Sequence, residues 1–263
     1  MKKKSIVLFW LGLAAIIQAV PAQDKHLTLV DGYAKLSSHI DKAKVAFRRD
    51  DLARCEKEVL FCLDRLPDHQ EAHFLMSQVL YKRGEYEKAL AHVLAAEEGY
   101  LRMAEAISVL EQLKLKKRAD NVAKLTDDVS DFTAADAAAK ARGSCQPDRN
   151  YNDIQGSKDD LAKEQAGRIG GDAAGQAAGV PAEYHYAHGN CLFQLRRMPE
   201  AESEYVRAIK SEPSLSEAYN NLINLLFMEK RVDEARAFLS QAEAHKAKVH
   251  PGLKKAVLEA AGK

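Results

Sequence analysis

Two histidines and one cysteine have the residue types and the spacing that could do chemistry. His185, His188 and Cys191 follow one another at intervals of three residues, so a helix would carry them along one side. Imidazole and thiolate groups are ligands that zinc and copper prefer, and this spacing could begin a site for either metal. A packing role for the two rings competes with that interpretation. We therefore predict no metal and no other cofactor, and keep metal handling by these three residues as an alternative.

The remaining cysteines are of two kinds: two are expected to be buried packing residues, and one could form a disulfide that the sequence does not decide. Cys55 and Cys62 are seven residues apart, which is about 10 Å along a helix and too far for a disulfide. We interpret them as small buried side chains. Cys145 lies in a polar stretch and could pair with Cys191 in an oxidising compartment. Spacing alone leaves this pairing open.

Motifs for catalysis are missing from the sequence. It contains no GxSxG, no Walker loop, no HExxH and no CxxC. Residues 170–175 (GGDAAG) superficially suggest a phosphate loop, but no strand-like run precedes them. We therefore predict that the protein is not an enzyme.

The first residues predict export. Lysines at positions 2–4 precede the apolar run 5–17, and Val20 and Ala22 place small residues before a possible cleavage site. These are the parts of a secretory signal peptide over residues 1–22, with cleavage near Ala22 and no membrane span afterwards. The expected location is the bacterial periplasm or the exterior. Loss of the three lysines changes the formal net charge from +1 to −2, a balance that excludes nucleic acid as an expected partner.

Helical elements that could position these residues recur every 34 residues. In the first half of the chain Cys55, Val59 and Cys62 recur as Ala89, Val93 and Ala96, and in the second half Ala201, Tyr205 and Ala208 recur as Ala235, Leu239 and Ala242. Flat rings recur too: His39 with His73, and His185 with Tyr219. This recurrence is why packing competes with metal binding at His185. Each unit reads as two amphipathic helices joined by a turn, where Gly84 suits a left-handed conformation.

This pattern resembles the tetratricopeptide repeat family. The closest stretch runs from Gly189 to Leu192 and then through Ala201, Tyr205, Ala208 and Pro213. The resemblance implies an all-α solenoid of about four helix–turn–helix repeats, at residues 36–69, 70–103, 182–215 and 216–249. Residues 250–263 are expected to form a C-terminal cap helix.

Residues 104–181 interrupt the repeat register. The stretch up to Leu125 is still strongly helical in pattern, whereas residues 126–181 are polar and hold seven of the 14 glycines. We predict a long, partly disordered insertion over 126–181, with short helices near 134–142 and 158–168. A segment that folds on binding a partner is the alternative. The expected organisation is a signal peptide (1–22), an N-terminal repeat block with an extended helix (23–125), the insertion (126–181) and a C-terminal block with its cap (182–263).

The resemblance also implies a binding surface, because first helices line the concave side of such arrays. The positions expected to face a protein or extended peptide there are Phe74, Gln78, Tyr81, Tyr186, Asn190, Gln194, Asn220 and Asn224. Asn190 and Asn224 are one period apart, and their amides could clamp a peptide backbone. We therefore predict an exported protein-interaction scaffold, with cell-envelope assembly as a role by family analogy. An accessory subunit of an envelope enzyme or metal-handling system that uses His185, His188 and Cys191 is the alternative.

Overall fold

The computed structural model describes residues 22–142, 158–160, 162 and 179–261, and no strand occurs within them. The all-α prediction is confirmed. The helices are α1 (Ala22–Arg48), α2 (Leu52–Arg65), α3 (Gln70–Lys82), α4 (Tyr86–Ala141), α5 (Ala182–Gln194), α6 (Met198–Ser211), α7 (Ser216–Met228), α8 (Val232–Ala244) and α9 (Pro251–Ala261).

The chain divides into two compact units. One comprises residues 28–104 and 178–263, and it holds all the predicted repeats. The other comprises residues 1–27 and 105–177. In its described part, α4 from residue 105 onwards carries exposed apolar side chains such as Ile107 and Leu115.

The first unit consists of helix pairs followed by a cap. The second half of α1 pairs with α2, α3 with the first turns of α4, α5 with α6, and α7 with α8, while α9 follows as the predicted cap helix. The small residues at the repeated positions are fully buried, which lets paired helices approach closely. They are Cys55, Cys62, Ala89, Ala96, Ala201, Ala208, Ala235 and Ala242, each 0% exposed.

One turn position is left-handed in all four repeats. Gly84 has a φ of +78°, as its predicted turn role requires. The equivalent residues Asp50, Arg196 and Lys230 have φ values of 60°, 61° and 64°. Each begins the reversal from the first to the second helix of its repeat, so the turn geometry is kept even where no glycine is available.

The third repeat packs directly on the second, although the insertion separates them in the chain. Phe74 of α3 stacks on Tyr184 of α5 with ring centroids 4.4 Å apart, and Tyr100 of α4 meets Tyr184 edge-on. Gln194 of α5 donates to the Tyr81 hydroxyl at 3.2 Å. The repeats of this unit therefore form one continuous stack.

The helix break expected near residue 126 is absent, and the short helix expected near 134–142 is present as part of α4 up to Ala141. Helix α4 continues without interruption through residues 126–141. These 16 residues include six alanines and neither glycine nor proline, and the glycine-rich part begins only at Gly143. Alanine has the highest helix propensity, and extending an existing helix costs no new nucleus, so local propensity prevails here over the low apolar content.

Several predictions fall on residues outside the described ranges. They are the signal peptide apart from Ala22, Cys145 with its disulfide to Cys191, and most of the insertion. Of the short helix expected near 158–168, residues 158–160 and 162 are described and are helical. Among the described helices, none combines the length and the apolar character that crossing a membrane requires.

Candidate functional site

A pocket of about 510 Å³ lies among the first helices of the repeats. Five predicted groove residues line it: Phe74, Gln78, Tyr81, Tyr186 and Asn190. Phe47 of α1 and Glu217 of α7 complete the wall, so the first helices of all four repeats contribute. The lining is mainly apolar and aromatic with a few polar groups, which is typical of binding pockets.

A second cavity of about 390 Å³ adjoins this pocket. The two share Phe47, Phe74, Gln78 and Glu183 as walls. The second cavity extends past them to Tyr184 and to the charged side chain of Arg48. Together the two cavities make an elongated groove, and we call this feature the groove.

Asn190 uses its amide oxygen in hydrogen bonds within the protein. Its amide oxygen accepts from the Tyr205 hydroxyl at 2.9 Å and from the Asn221 amide at 2.7 Å. Burial raises the pKa of Tyr205, so that hydroxyl remains a donor. Among the described hydrogen bonds the Asn190 amide nitrogen donates none, so this side chain can offer a donor to a ligand but has no acceptor to spare.

The structure does not bring the other three predicted residues to the groove lining. Asn220 joins the cap: its amide donates to Lys248 O at 2.8 Å and accepts from His250 N at 2.7 Å. Asn224 is exposed and lies beside Met228. Gln194 is exposed and donates to the Tyr81 hydroxyl, and it is not part of the lining. An asparagine ladder formed by Asn190 and Asn224 therefore does not line this groove.

Four titratable side chains converge where the second and third repeats meet. His185 Nδ1 lies 2.8 Å from Glu204 Oε2 and 3.7 Å from Glu97 Oε1. His188 Nδ1 lies 3.2 Å from Glu97 Oε1 and 3.7 Å from Glu204 Oε2. All four side chains are at most 15% exposed. We call these residues the His/Glu cluster.

Glu204 stays ionised in this cluster. Burial by itself would raise the pKa of its carboxyl group, but the hydrogen bond from His185 and the positive charges of His188 and Arg207 outweigh burial and lower it. Arg207 contacts the other oxygen, Oε1, at 3.1 Å. Oxygen Oε2 is thereby left facing the two imidazoles.

Part of the His/Glu cluster repeats within the chain. His39 Nδ1 lies 2.6 Å from Glu58, and His73 Nδ1 lies 2.8 Å from His92, both 19 residues further along, as Glu204 is from His185. In the fourth repeat Tyr219 occupies the first position, and Phe238 stands 19 residues later. Ring packing at this position is thus only part of its role, because each histidine also bonds across the helix pair.

Sequence reasoning identified His185 and His188 but missed Glu97 and Glu204. The signal for Glu204 was present, since each repeat with a histidine in the first helix has Glu or His 19 residues later. Glu97 had no such signal, because its contact crosses 91 residues of chain.

Cys191, the third residue of the sequence motif, does not belong to the His/Glu cluster. It is 1% exposed and lines the groove instead. Burial raises the pKa of its thiol to about 12, so it is an inert side chain in the folded protein.

Comparisons with known proteins identify the repeats. The family model described as tetratricopeptide repeat matches residues 40–100 and 186–248. The comparison with curated proteins gave no significant match.

Several solved structures are similar to this chain, among them the following three. A thermophilic tetratricopeptide repeat (TPR) protein from Thermus thermophilus is 16% identical, with 87% of this chain and 100% of that chain covered and a TM-score of 0.36. The pilF protein of Pseudomonas aeruginosa is 11% identical, with 92% and 86% covered and a TM-score of 0.36. The TPR2AB domain of yeast Sti1, solved as a complex with pHSP90, is 15% identical, with 87% and 99% covered and a TM-score of 0.27.

Proposed function

This chain belongs to the tetratricopeptide repeat family, and from that premise we propose that it is a non-enzymatic scaffold that binds another protein. The partner presents an extended segment to the groove between the first helices. One observation carries this proposal: the first helices of all four repeats line one pocket, and a second cavity continues it. An elongated site suits a chain segment better than a compact metabolite.

The groove chemistry defines the kind of segment. Tyr81 and Tyr186 offer ring faces for an apolar side chain, and such rings supply contact area at low entropic cost. The amides of Gln78 and Asn190 can donate to backbone carbonyl groups of the segment. Glu183 and Glu217 lie along the wall. Lys44, Arg48 and Lys82 also line the groove, which therefore selects no sign of charge, and we expect an extended peptide with an apolar anchor.

Export completes the proposal. A signal peptide over residues 1–22 would place the mature protein in the periplasm or outside the cell, where a repeat scaffold can hold components of the envelope during assembly. Fractionation of the native host with N-terminal sequencing of the mature protein tests this part. A mature N-terminus near residue 23 supports it, and full-length protein in the cytoplasmic fraction contradicts it.

Peptide selection tests the groove. Peptides selected from a random library on the folded protein are titrated by fluorescence anisotropy against wild type and variants. Tyr186→Ala should weaken binding by about 2 kcal/mol, roughly 30-fold. Gln78→Ala should cost about 1 kcal/mol.

The matched control is Gln241→Ala, since Gln241 is an exposed glutamine on α8, outside the groove lining. It should bind like wild type. Circular dichroism and thermal melting confirm that each variant is folded. Binding that is equally strong in Tyr186→Ala and Gln78→Ala would place the interaction elsewhere and refute the groove as the site.

A further inference from the structure

The His/Glu cluster differs from the other repeat junctions in two positions. The junction between the first and second repeats has Leu63 and Met76 at the positions equivalent to Glu97 and His188, and Met76 is buried. The junction between the third and fourth repeats has the buried pair Ile209 and Leu222. Apolar side chains suffice for packing at this position. Only the central junction places a carboxylate and an imidazole there, so packing does not account for Glu97 and His188.

The cluster also carries a charge that needs compensation. Glu97 and Glu204 bring two carboxylates within reach of each other in a site that is at most 15% exposed. Arg207 contacts Oε1 of Glu204 from a side chain that is 60% exposed. The two carboxylate oxygens that face inwards, Glu97 Oε1 and Glu204 Oε2, meet only the imidazoles of His185 and His188 among the described residues. The imidazoles and Arg207 already lower the pKa of Glu204, and a divalent cation would neutralise both buried carboxylates at once.

We propose that Glu97, His185, His188 and Glu204 bind a divalent transition-metal cation, with Zn²⁺ as the first candidate. Two imidazoles and two carboxylates form a donor set that Zn²⁺ accepts, and harder cations such as Ca²⁺ prefer sites made of oxygen alone.

The distances fit such an ion. Zinc bonds of about 2.0–2.1 Å in a tetrahedral site separate neighbouring donor atoms by roughly 3.3 Å. The four nitrogen–oxygen distances of the cluster are 2.8, 3.2, 3.7 and 3.7 Å. Donor atoms of Glu97, His185 and Glu204 all lie within 4.8 Å of one another. His188 lies outside this group of three, and its Nδ1, which lies 3.2 Å from Glu97 Oε1 and 3.7 Å from Glu204 Oε2, would have to move closer to His185 to supply the fourth donor.

The ion would join parts of the repeat stack that are distant in the chain. Glu97 belongs to α4, His185 and His188 to α5, and Glu204 to α6. A bond from Glu97 to His188 closes 91 residues of chain, and a ligand that binds only the folded form stabilises that form. The metal is therefore a clip between the second and third repeats, which the long insertion separates in the sequence. This role is separate from peptide binding in the groove.

Metal binding is measured on the full mature chain without a histidine tag. The protein is dialysed against EDTA and then against buffer, and ZnCl₂ is titrated by calorimetry at neutral pH. Elemental analysis after gel filtration gives the stoichiometry. We expect one zinc per chain and a melting temperature that rises with Zn²⁺ and falls with EDTA.

The double variant Glu97→Ile/His188→Leu removes two ligands and keeps the fold, because these residues stand at the same positions of the next junction. It should lose on the order of 100-fold or more in zinc affinity, since even residues that only orient ligands are worth 10–100-fold. Its melting temperature should not respond to Zn²⁺ or EDTA. The matched control is His39→Tyr, which alters the equivalent histidine of the first repeat and should leave zinc binding unchanged.

Two results would overturn the proposal. The first is a wild-type chain that binds zinc no better than the double variant, which would make the cluster an ion-pair network only. The second is a zinc–sulfur distance of about 2.3 Å in X-ray absorption, which would assign the metal to a cysteine site in place of the carboxylates.

Discussion

Acid should destabilise the repeat stack through one buried histidine, His69. It is the N-cap of α3 and accepts from Ala72 N at 3.3 Å through Nδ1, with its ring stacked on Tyr33 at 4.1 Å. It is 2% exposed. Burial lowers its pKa from 6.5 to about 4. A protonated Nδ1 cannot accept, so protonation removes the cap as well as burying a charge.

The size of the effect follows from this shift in pKa. The unfolded chain binds a proton at His69 below about pH 6.5, while the folded chain resists until about pH 4. The contribution of His69 is therefore fully present above pH 6.5 and is lost as the pH falls towards 4. Each unit of pKa shift corresponds to about 1.4 kcal/mol, so between pH 7.5 and 5 the loss from this residue is about 2 kcal/mol.

Urea unfolding followed by circular dichroism at the two pH values measures this loss. Other histidines also titrate, so the comparison is with His69→Asn, which keeps a capping acceptor and removes the titration. The free energy of unfolding of wild type should fall by about 2 kcal/mol more than that of the variant. Equal pH dependence of the two proteins would refute the assignment of a depressed pKa to His69.

Three substitutions test the packing of the stack. Tyr33→Phe removes a hydroxyl that donates to Asp68 O at 3.0 Å, and it should cost about 1–3 kcal/mol in the free energy of unfolding. Gly189→Ala would put a Cβ 2.7 Å from the Tyr205 ring, so overpacking should cost about 1–3 kcal/mol. Lys230 has a φ of 64°, a left-handed conformation that strains the backbone of any residue except glycine. Lys230→Gly removes about 1–2 kcal/mol of this strain and adds a smaller entropic cost, so the folded protein should become more stable by about 0.5–1 kcal/mol.

Urea unfolding at neutral pH measures all three. Ser77→Ala is the control for Gly189→Ala, because Ser77 is the equivalent residue of the second repeat and already carries a Cβ, with Val93 at the position of Tyr205. It removes only the hydroxyl that donates to Phe74 O at 2.6 Å. It should change stability by less than about 1 kcal/mol. If Gly189→Ala or Tyr33→Phe leaves the free energy of unfolding unchanged, the crowding or hydrogen bond inferred there does not contribute to stability. If Lys230→Gly is less stable than wild type, the turn at Lys230 is not strained.

Much of the helical framework could be predicted from local pattern. The structure has three features where the sequence predicted them: the small buried residues at repeated positions, the 34-residue period and the cap helix that begins at Pro251. All three depend on patterns within one or two neighbouring helices. Helix was expected up to Leu125 and again near 134–142, and the structure joins the two in α4. The break between them was wrong, because averaging composition over residues 126–181 combined an alanine-rich helix with the glycines that follow it. Five of the eight groove residues line the pocket, since the helical face is set by periodicity.

By itself the sequence determined the helix pair of each repeat and its small buried positions, because the two helices are joined by one short turn and the positions recur with a fixed offset. Only the tertiary structure decided that the third repeat stacks on the second, since nothing local says where a chain returns after a long insertion. Packing of the third repeat on the second brings Glu97 next to His185 and His188. The two histidines, which the sequence pattern assigned to packing, therefore belong to the four-residue His/Glu cluster. The tertiary structure also decides that Asn220 bonds to the cap while Asn190 lines the groove. Contacts between distant segments depend on how whole helices pack, which the pattern of one helix does not contain.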